Sequence, residues 1–112
     1  MWLFTKQGFY SIVRKADGRW HVRARAWKDL ENLNRLAGTD HAIHRSADAD
    51  YRWRLVVPGE TARALIGKLA EDIDYANFKG VVARTPGQAD KLGILHEIWE
   101  LMYRYQSERE NP

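Results

Sequence analysis

Two stretches in which apolar and basic residues alternate constrain the fold of this chain most. They are Trp20–Trp27, with the sequence WHVRARAW, and Tyr51–Val57, with the sequence YRWRLVV. Successive side chains of a β-strand point to opposite faces, so this pattern is typical of a half-buried antiparallel sheet. The apolar face is expected to hold Trp20, Val22, Ala24, Ala26, Tyr51, Trp53, Leu55 and Val57. The polar face is expected to hold His21, Arg23, Arg25, Arg52 and Arg54.

The residues before the first of these stretches predict a β-hairpin. Residues 2–5 and 9–14 are rich in β-formers, either as one strand broken at Gln7-Gly8 or as two short strands. Asp17-Gly18 follows, and Asp-Gly between two such runs is typical of a tight hairpin turn. Residues 9–14 should therefore pair antiparallel with residues 19–27. A weaker strand is expected over residues 41–45.

Apolar spacing and capping residues predict three helices. Residues 28–37 place Leu30 and Leu33 on one face, with Asp29 as N-cap and Gly38 just past the end. A second helix over residues 61–73 directs inward Ala62, Leu65, Ile66, Leu69 and Ile73. A turn or short helix over residues 72–80 should tuck Tyr75 and Phe78 inward. The last helix is predicted over residues 86–105, opened by a capping box at Thr85 with Pro86 at the first helical position.

The order of these elements indicates the fold class. Two strands, a helix, two strands and two helices suit an α+β sandwich with a four-stranded antiparallel sheet and helices packed on one face. We predict a permuted ferredoxin-like arrangement in which the N-terminal strand occupies the place of the last strand. The length of 112 residues suits a single α+β domain spanning 1–112.

Composition limits the classes of function. The chain has a formal net charge of +3 and a sequence pI of about 9.3, which permits an anionic partner. It has no cysteine, so disulfides and thiolate metal sites are excluded. The start of the chain lacks a signal-peptide pattern, and no run approaches the about 18 apolar residues of a membrane span. We expect a cytoplasmic protein without a membrane partner or a cofactor.

Phrases at both ends resemble a family of small bacterial proteins of unknown function. They are Met1-Trp2 with Gly8–Val13, the stretch Glu71–Lys79, and Ile98-Trp99 with Met102-Tyr103. The resemblance covers about a third of the chain at scattered positions. It implies a self-contained domain, and it brings no known activity, cofactor or catalytic residue.

The polar sheet face is the leading candidate for a binding site. His21, Arg23, Arg25, Arg52 and Arg54 would contact the phosphates of a nucleic acid or of another polyanion. The alternation turns the aromatic residues of these two strands to the opposite face and leaves only Trp27 in phase with the arginines, so base stacking is not expected there. The alternative is a solvated face, or arginines that pair with acidic residues elsewhere.

The last predicted helix is the second candidate. Apolar residues occur at successive positions and exceed the arc of about 100° that packing on one sheet face requires. We expect a homodimer interface that includes Ile94, Trp99, Leu101 and Tyr103. The alternative is a helix lying in an intramolecular groove, buried on two sides.

A small enzyme is the third class of function considered. Asp72 and Asp74 could form an acid–base pair, and His96 and Glu100 lie one helical turn apart with Glu97 between them. Asp and Asn are also ordinary turn residues, and no third metal ligand lies near His96 in the sequence. We therefore assign no catalytic residue and no metal site, and we expect a binding or regulatory module rather than an enzyme.

Overall fold

The computed structural model describes residues 1–109 and has an α+β architecture, as predicted. The elements are β1 (Trp2–Thr5), β2 (Gly8–Arg14), β3 (Trp20–Ala24), α1 (Trp27–Ala37), β4 (His44–Arg45), β5 (Trp53–Val57), α2 (Gly59–Glu71), α3 (Phe78–Arg84), a 3-10 turn (Ala89–Lys91) and α4 (Leu92–Glu108). The chain forms two compact units, Met1–Tyr75 and a second that begins at Ala76. The single domain predicted over 1–112 includes residues 110–112, which lie outside the described residues.

The first unit contains a five-stranded antiparallel sheet with the strand order β1-β2-β3-β5-β4. The predicted hairpin is confirmed, because β2 pairs with β3 from Ser11↔Arg23 to Arg14↔Trp20. In its turn Gly18 has φ 84°, and the Asp17 carboxylate accepts the backbone N–H of Arg19 at 2.9 Å. The two alternating stretches are neighbours, as expected, since Arg23 lies opposite Arg54.

The prediction of four strands is wrong, because the chain reverses completely between Thr5 and Gly8. The Thr5 hydroxyl oxygen accepts the backbone N–H groups of Gln7 and Gly8 at 3.2 Å each, and the hydroxyl donates to the Gly8 carbonyl at 2.8 Å. This side chain satisfies the turn, so β1 folds back on β2 as a separate edge strand. At the other edge, β4 is shorter than the predicted strand over residues 41–45 and spans only two residues.

One face of the sheet, here called the inner face, is covered by helices. α1 packs on β2, β3 and β5, and α2 packs on β3 and on α1. Burying these apolar side chains supplies most of the favourable free energy of folding, at about 25 cal/mol per Å². The buried core comprises Tyr10, Ile12, Val22, Ala24, Leu30, Leu33, Leu55, Val57, Ala62, Leu65 and Leu69.

α1 begins two residues before the predicted N-cap. Asp29 is buried in the first turn, where its Oδ2 accepts the backbone N–H of Phe9 at 3.1 Å. The hydroxyl of buried Tyr10 donates to the Asp29 carbonyl at 2.6 Å. Asp29 therefore ties the helix to β2 instead of capping its own helix. The predicted C-terminal glycine is confirmed, since Gly38 has φ 67° and closes the helix in the left-handed conformation.

α2 also differs from its prediction at both ends. It starts at Gly59 and ends at Glu71, so Ile73 lies beyond the helix and is exposed rather than inward-facing. The predicted inward residues Ala62, Leu65 and Leu69 are buried. Tyr75, which follows in the same unit, is half-buried.

The second unit consists of α3, the 3-10 turn and α4, which contact one another. Asn77 caps α3 by accepting the backbone N–H of Gly80 at 2.8 Å, and Phe78 is half-buried. The predicted capping box at Thr85 is wrong, because Thr85 ends α3 and its hydroxyl donates to the Val81 carbonyl at 2.7 Å. Gly87, with φ 78°, interrupts the helical path, so α4 starts only at Leu92.

Candidate functional site

The sheet face opposite α1 and α2, here called the outer face, carries a continuous row of side chains across all five strands. The register places Trp2 opposite Ser11, Ser11 opposite Arg23, Arg23 opposite Arg54, and Arg54 opposite His44. Side chains directly opposite each other in a sheet share a face. Two of the predicted arginines, Arg23 and Arg54, therefore lie in one array with residues from both edge strands, whereas Arg25 and Arg52 flank the strands.

Tyr51 lies on the outer face, so its predicted place on the inner face is wrong. Its ring centroid lies 6.4 Å from that of Phe9. The guanidinium groups of Arg23 and Arg25 lie 4.6 Å and 4.2 Å from the Tyr51 ring centroid. The physical reason is that β5 begins only at Trp53, so a bend at Tyr51 frees its side chain from the strand alternation.

Two of the predicted binding arginines are engaged within the protein. Arg23 donates to the Ser11 hydroxyl at 2.7 Å. Arg54 donates to the Tyr51 carbonyl at 3.0 Å and lies 3.2 Å from Nδ1 of His21. Both side chains are half-buried, so their guanidinium groups stabilise the outer face through hydrogen bonds and are less accessible to a ligand.

The other two predicted arginines are exposed. Arg25 lies 3.4 Å from an Asp50 carboxylate oxygen, and both side chains of this pair are mostly solvent-accessible. Exposed pairs of this kind contribute only about 0–1 kcal/mol, so a phosphate can compete with the carboxylate. Arg52 is exposed as well. These two guanidinium groups are the accessible positive charges of the predicted set.

His21 lies on the outer face beside Arg54. Burial lowers its pKa, and the neighbouring positive charge of Arg54 lowers it further. Because the neutral imidazole can accept a hydrogen bond from a guanidinium, the geometry favours an uncharged His21 with Nδ1 as acceptor. In this state His21 positions Arg54 and adds no positive charge to the face.

An aromatic cluster on β1 and β2 is the feature that sequence reasoning missed. The Phe4 ring stacks on Phe9 with centroids 4.4 Å apart, and the Trp2 ring meets Phe9 edge-on at 5.7 Å. Trp2 is 65% exposed. The expectation that the outer face lacks aromatic residues for stacking is therefore wrong. The available signal was the spacing of two between Trp2 and Phe4, which puts both on one face of a strand.

Asp72 and Asp74 both lie close to the side-chain amine of Lys6. The Lys6 amine lies 3.5 Å from Asp72 and 2.8 Å from Asp74. The hydrogen bond with Asp74 raises the pKa of Lys6, partly offset by burial. Gln7 also donates to Asp72 at 2.9 Å. These contacts tie the β1–β2 turn to the segment after α2.

The histidine of α4 contacts a ring instead of a metal-binding group. His96 stacks on Trp99 with centroids 5.9 Å apart, and both Glu97 and Glu100 are exposed. Over residues 1–109, no three His, Cys, Asp or Glu side chains form a group that could hold a metal ion. None of the helices in this part of the chain combines the length and apolar composition needed to cross a lipid bilayer.

The predicted interface residues of α4 are all exposed. Ile94, Trp99, Leu101 and Tyr103 each keep more than half of their surface accessible. Met102 and Tyr105 are equally exposed, whereas Leu95 is buried. The second half of α4 thus presents large apolar side chains to solvent.

Comparisons of the chain with protein-family models, with curated proteins and with solved structures found no match. The resemblance to a family of small bacterial proteins stays a prediction. A function for this chain is therefore inferred from its own geometry.

Proposed function

We propose that the protein is a cytoplasmic module that binds single-stranded nucleic acid on its outer face. We also propose that its sheet is a permuted ferredoxin-like sheet with β1 added at one edge. The order of the other four strands, β2-β3-β5-β4, supports this assignment because β3 and β5 are central among them and the hairpin strand β2 lies beside β3.

The observation that carries the proposed function is the exposed Trp2 ring within an aromatic cluster on an arginine-bearing face. Proteins that bind single strands combine exposed aromatic rings with a positively charged surface. Phe9 holds the Trp2 ring edge-on, so the indole can meet a base at little further cost in side-chain entropy. Phe4 extends the same apolar surface along β1.

The positive charges lie where a backbone that follows the stacked bases would pass. Arg25 directly follows the end of β3, and its guanidinium group lies 4.2 Å from the centroid of the Tyr51 ring, which in turn lies 6.4 Å from the Phe9 ring; Arg52 directly precedes β5. Both guanidinium groups are accessible. The half-buried Arg23 packs on the Tyr51 ring and holds it beside Phe9 on the same face.

A single strand suits this face better than a duplex. Stacking on Trp2 needs a base that is not stacked between its neighbours, and a single strand supplies such a base at a lower cost than a duplex, in which pairing must also be broken. Bases are recognised by their flat rings in this mode, so weak sequence preference is expected.

The test replaces Trp2 with Ala and measures binding of a fluorescently labelled single-stranded oligonucleotide by anisotropy at low salt. Removing one stacking ring costs about 1–3 kcal/mol, so the dissociation constant should rise about 5- to 150-fold. Trp99→Ala is the matched control, because Trp99 is also exposed but lies on α4, in the other unit of the chain. Equal affinities for the wild type and the Trp2→Ala variant would refute the proposal.

A further inference from the structure

α4 presents several large apolar side chains to solvent. Large side chains more than half exposed occur at Ile94, Trp99, Leu101, Met102, Tyr103 and Tyr105. Contiguous exposed apolar surface on a folded protein marks a site of contact with a partner. Ile94, Leu101 and Tyr105 lie within about 40° of one another round the helix, whereas Trp99 and Tyr103 lie on the opposite half.

Part of this surface has the spacing of a helix-pairing seam. Ile94, Ile98, Leu101 and Tyr105 recur at intervals of four, three and four residues, and we call them the α4 seam. This is the alternation of a and d positions that lets two helices pack side by side. Ile98 is half-buried and the other three are exposed. The buried Leu95 lies about 100° round the helix from Ile94, so the seam borders the side that packs within the unit at Ile98 and is open to solvent at its other three residues.

The charged residues beside the α4 seam indicate how a second copy of the helix would pair with it. Glu97 and Arg104 are seven residues apart, so they lie on the same flank of the seam, and both are exposed. When two copies pair antiparallel, like flanks face each other, and Glu97 meets the partner's Arg104 twice across the two-fold axis. When they pair parallel, Glu97 instead faces the other flank, which carries the apolar Leu95 and Met102.

We infer that a second copy of this chain docks on the α4 seam as an antiparallel two-fold helix pair. Ile94 then packs against the partner's Tyr105, and Ile98 packs against the partner's Leu101. Two Glu97–Arg104 pairs, one on each side of the axis, fix the orientation. This inference does not rest on the proposed function, since the α4 seam and the outer face belong to different units of the chain.

The first arm of the test measures mass by light scattering over a range of concentrations. The wild type should show twice the 13.1 kDa chain mass at high concentration and dissociate on dilution. Leu101→Asp places a charge in the seam and should give a monomer at every concentration. Because Leu101 is 55% exposed, this variant should keep the wild-type circular dichroism spectrum.

The second arm tests orientation by charge reversal. Glu97→Arg and Arg104→Glu should each raise the dimer dissociation constant about tenfold, because each turns two attractive pairs into repulsive ones. Combining both reversals restores opposite charges across the axis and should restore the wild-type constant. Glu100→Arg, on the polar side of α4, is the control and should leave the constant unchanged.

A monomeric wild type at every concentration would overturn the inference, as would an assembly larger than a dimer. A dimer that the single reversals leave unchanged, or that the double reversal fails to restore, would overturn the antiparallel arrangement. Circular dichroism of the surface variants shows whether each is folded, so loss of fold cannot be mistaken for loss of the interface.

Discussion

The close approach of Gly8, at the start of β2, to Asp29 of α1 gives a stability prediction. A Cβ atom at Gly8 would lie 2.3 Å from Cγ and 2.7 Å from Oδ1 of Asp29. Asp29 cannot simply yield, because its Oδ2 accepts the Phe9 N–H and its side chain is buried. Gly8→Ala must therefore displace the carboxylate and break or distort this hydrogen bond.

The cost of Gly8→Ala follows from its two components. Overpacking costs about 1–3 kcal/mol, and a hydrogen bond to a charged acceptor contributes about 1.5–3 kcal/mol. We expect the free energy of unfolding to fall by about 3–5 kcal/mol and the midpoint of thermal unfolding to fall by about 10–20 °C. Urea titration and thermal unfolding followed by circular dichroism measure both quantities.

The matched control is the same substitution at Gly67, in the interior of α2. No atom lies within 4 Å of a Cβ there, so the methyl group meets no obstacle. Alanine favours a helix interior by about 0.5–1 kcal/mol over glycine, so Gly67→Ala should stabilise the protein. A loss below about 1 kcal/mol for Gly8→Ala would show that Asp29 can move freely, and would refute its role as a fixed link between β2 and α1.

Two further predictions concern charged contacts. The pKa of His21 in the folded protein is lowered below the ordinary 6.5, so near and below this pH the unfolded chain binds more protons than the folded one. The free energy of unfolding should therefore fall as the pH drops below 6.5, and His21→Asn should reduce this fall. An NMR titration that places the pKa of His21 above 6.5 would contradict the assignment. Lys6→Met removes the cation between Asp72 and Asp74 and should lower stability by about 1 kcal/mol, whereas Lys28→Met removes only a local helix pair and should cost about 0.3 kcal/mol. Equal losses in urea unfolding would contradict the role of Lys6 as a link between distant segments.

The features that could be predicted from the sequence are those that a few neighbouring residues determine. Asp17-Gly18 predicts its hairpin because glycine reaches φ 84° without strain, and the strand alternation correctly gives the inner-face residues Val22 and Leu55. Gly38 likewise marks the end of α1. In each case the residues that give the signal also satisfy the local backbone.

Features that depend on contacts between residues far apart in the sequence could not be predicted from it. Asp29 looks like a helix cap until β2 is placed beside it, where the Phe9 N–H competes for the carboxylate. The sequence alternation puts Tyr51 on the inner face, but in the structure it lies on the outer face. The bend before β5 lets its ring pack on Phe9 and on the arginines. The aromatic cluster at Trp2 depends on β1 turning back at Thr5, which the sequence left open.

The salt dependence of oligonucleotide binding tests the proposed function most directly. Binding of a single-stranded oligonucleotide should weaken as salt rises, and Arg25→Ala with Arg52→Ala should make the slope of log K against log salt shallower by about 1.4, since each phosphate contact on a single strand contributes about 0.7. Arg35→Ala with Lys68→Ala removes the same charge from exposed salt bridges on α1 and α2, and should leave the slope unchanged. No binding at low salt, or the same slope in both double variants, would contradict binding on the outer face.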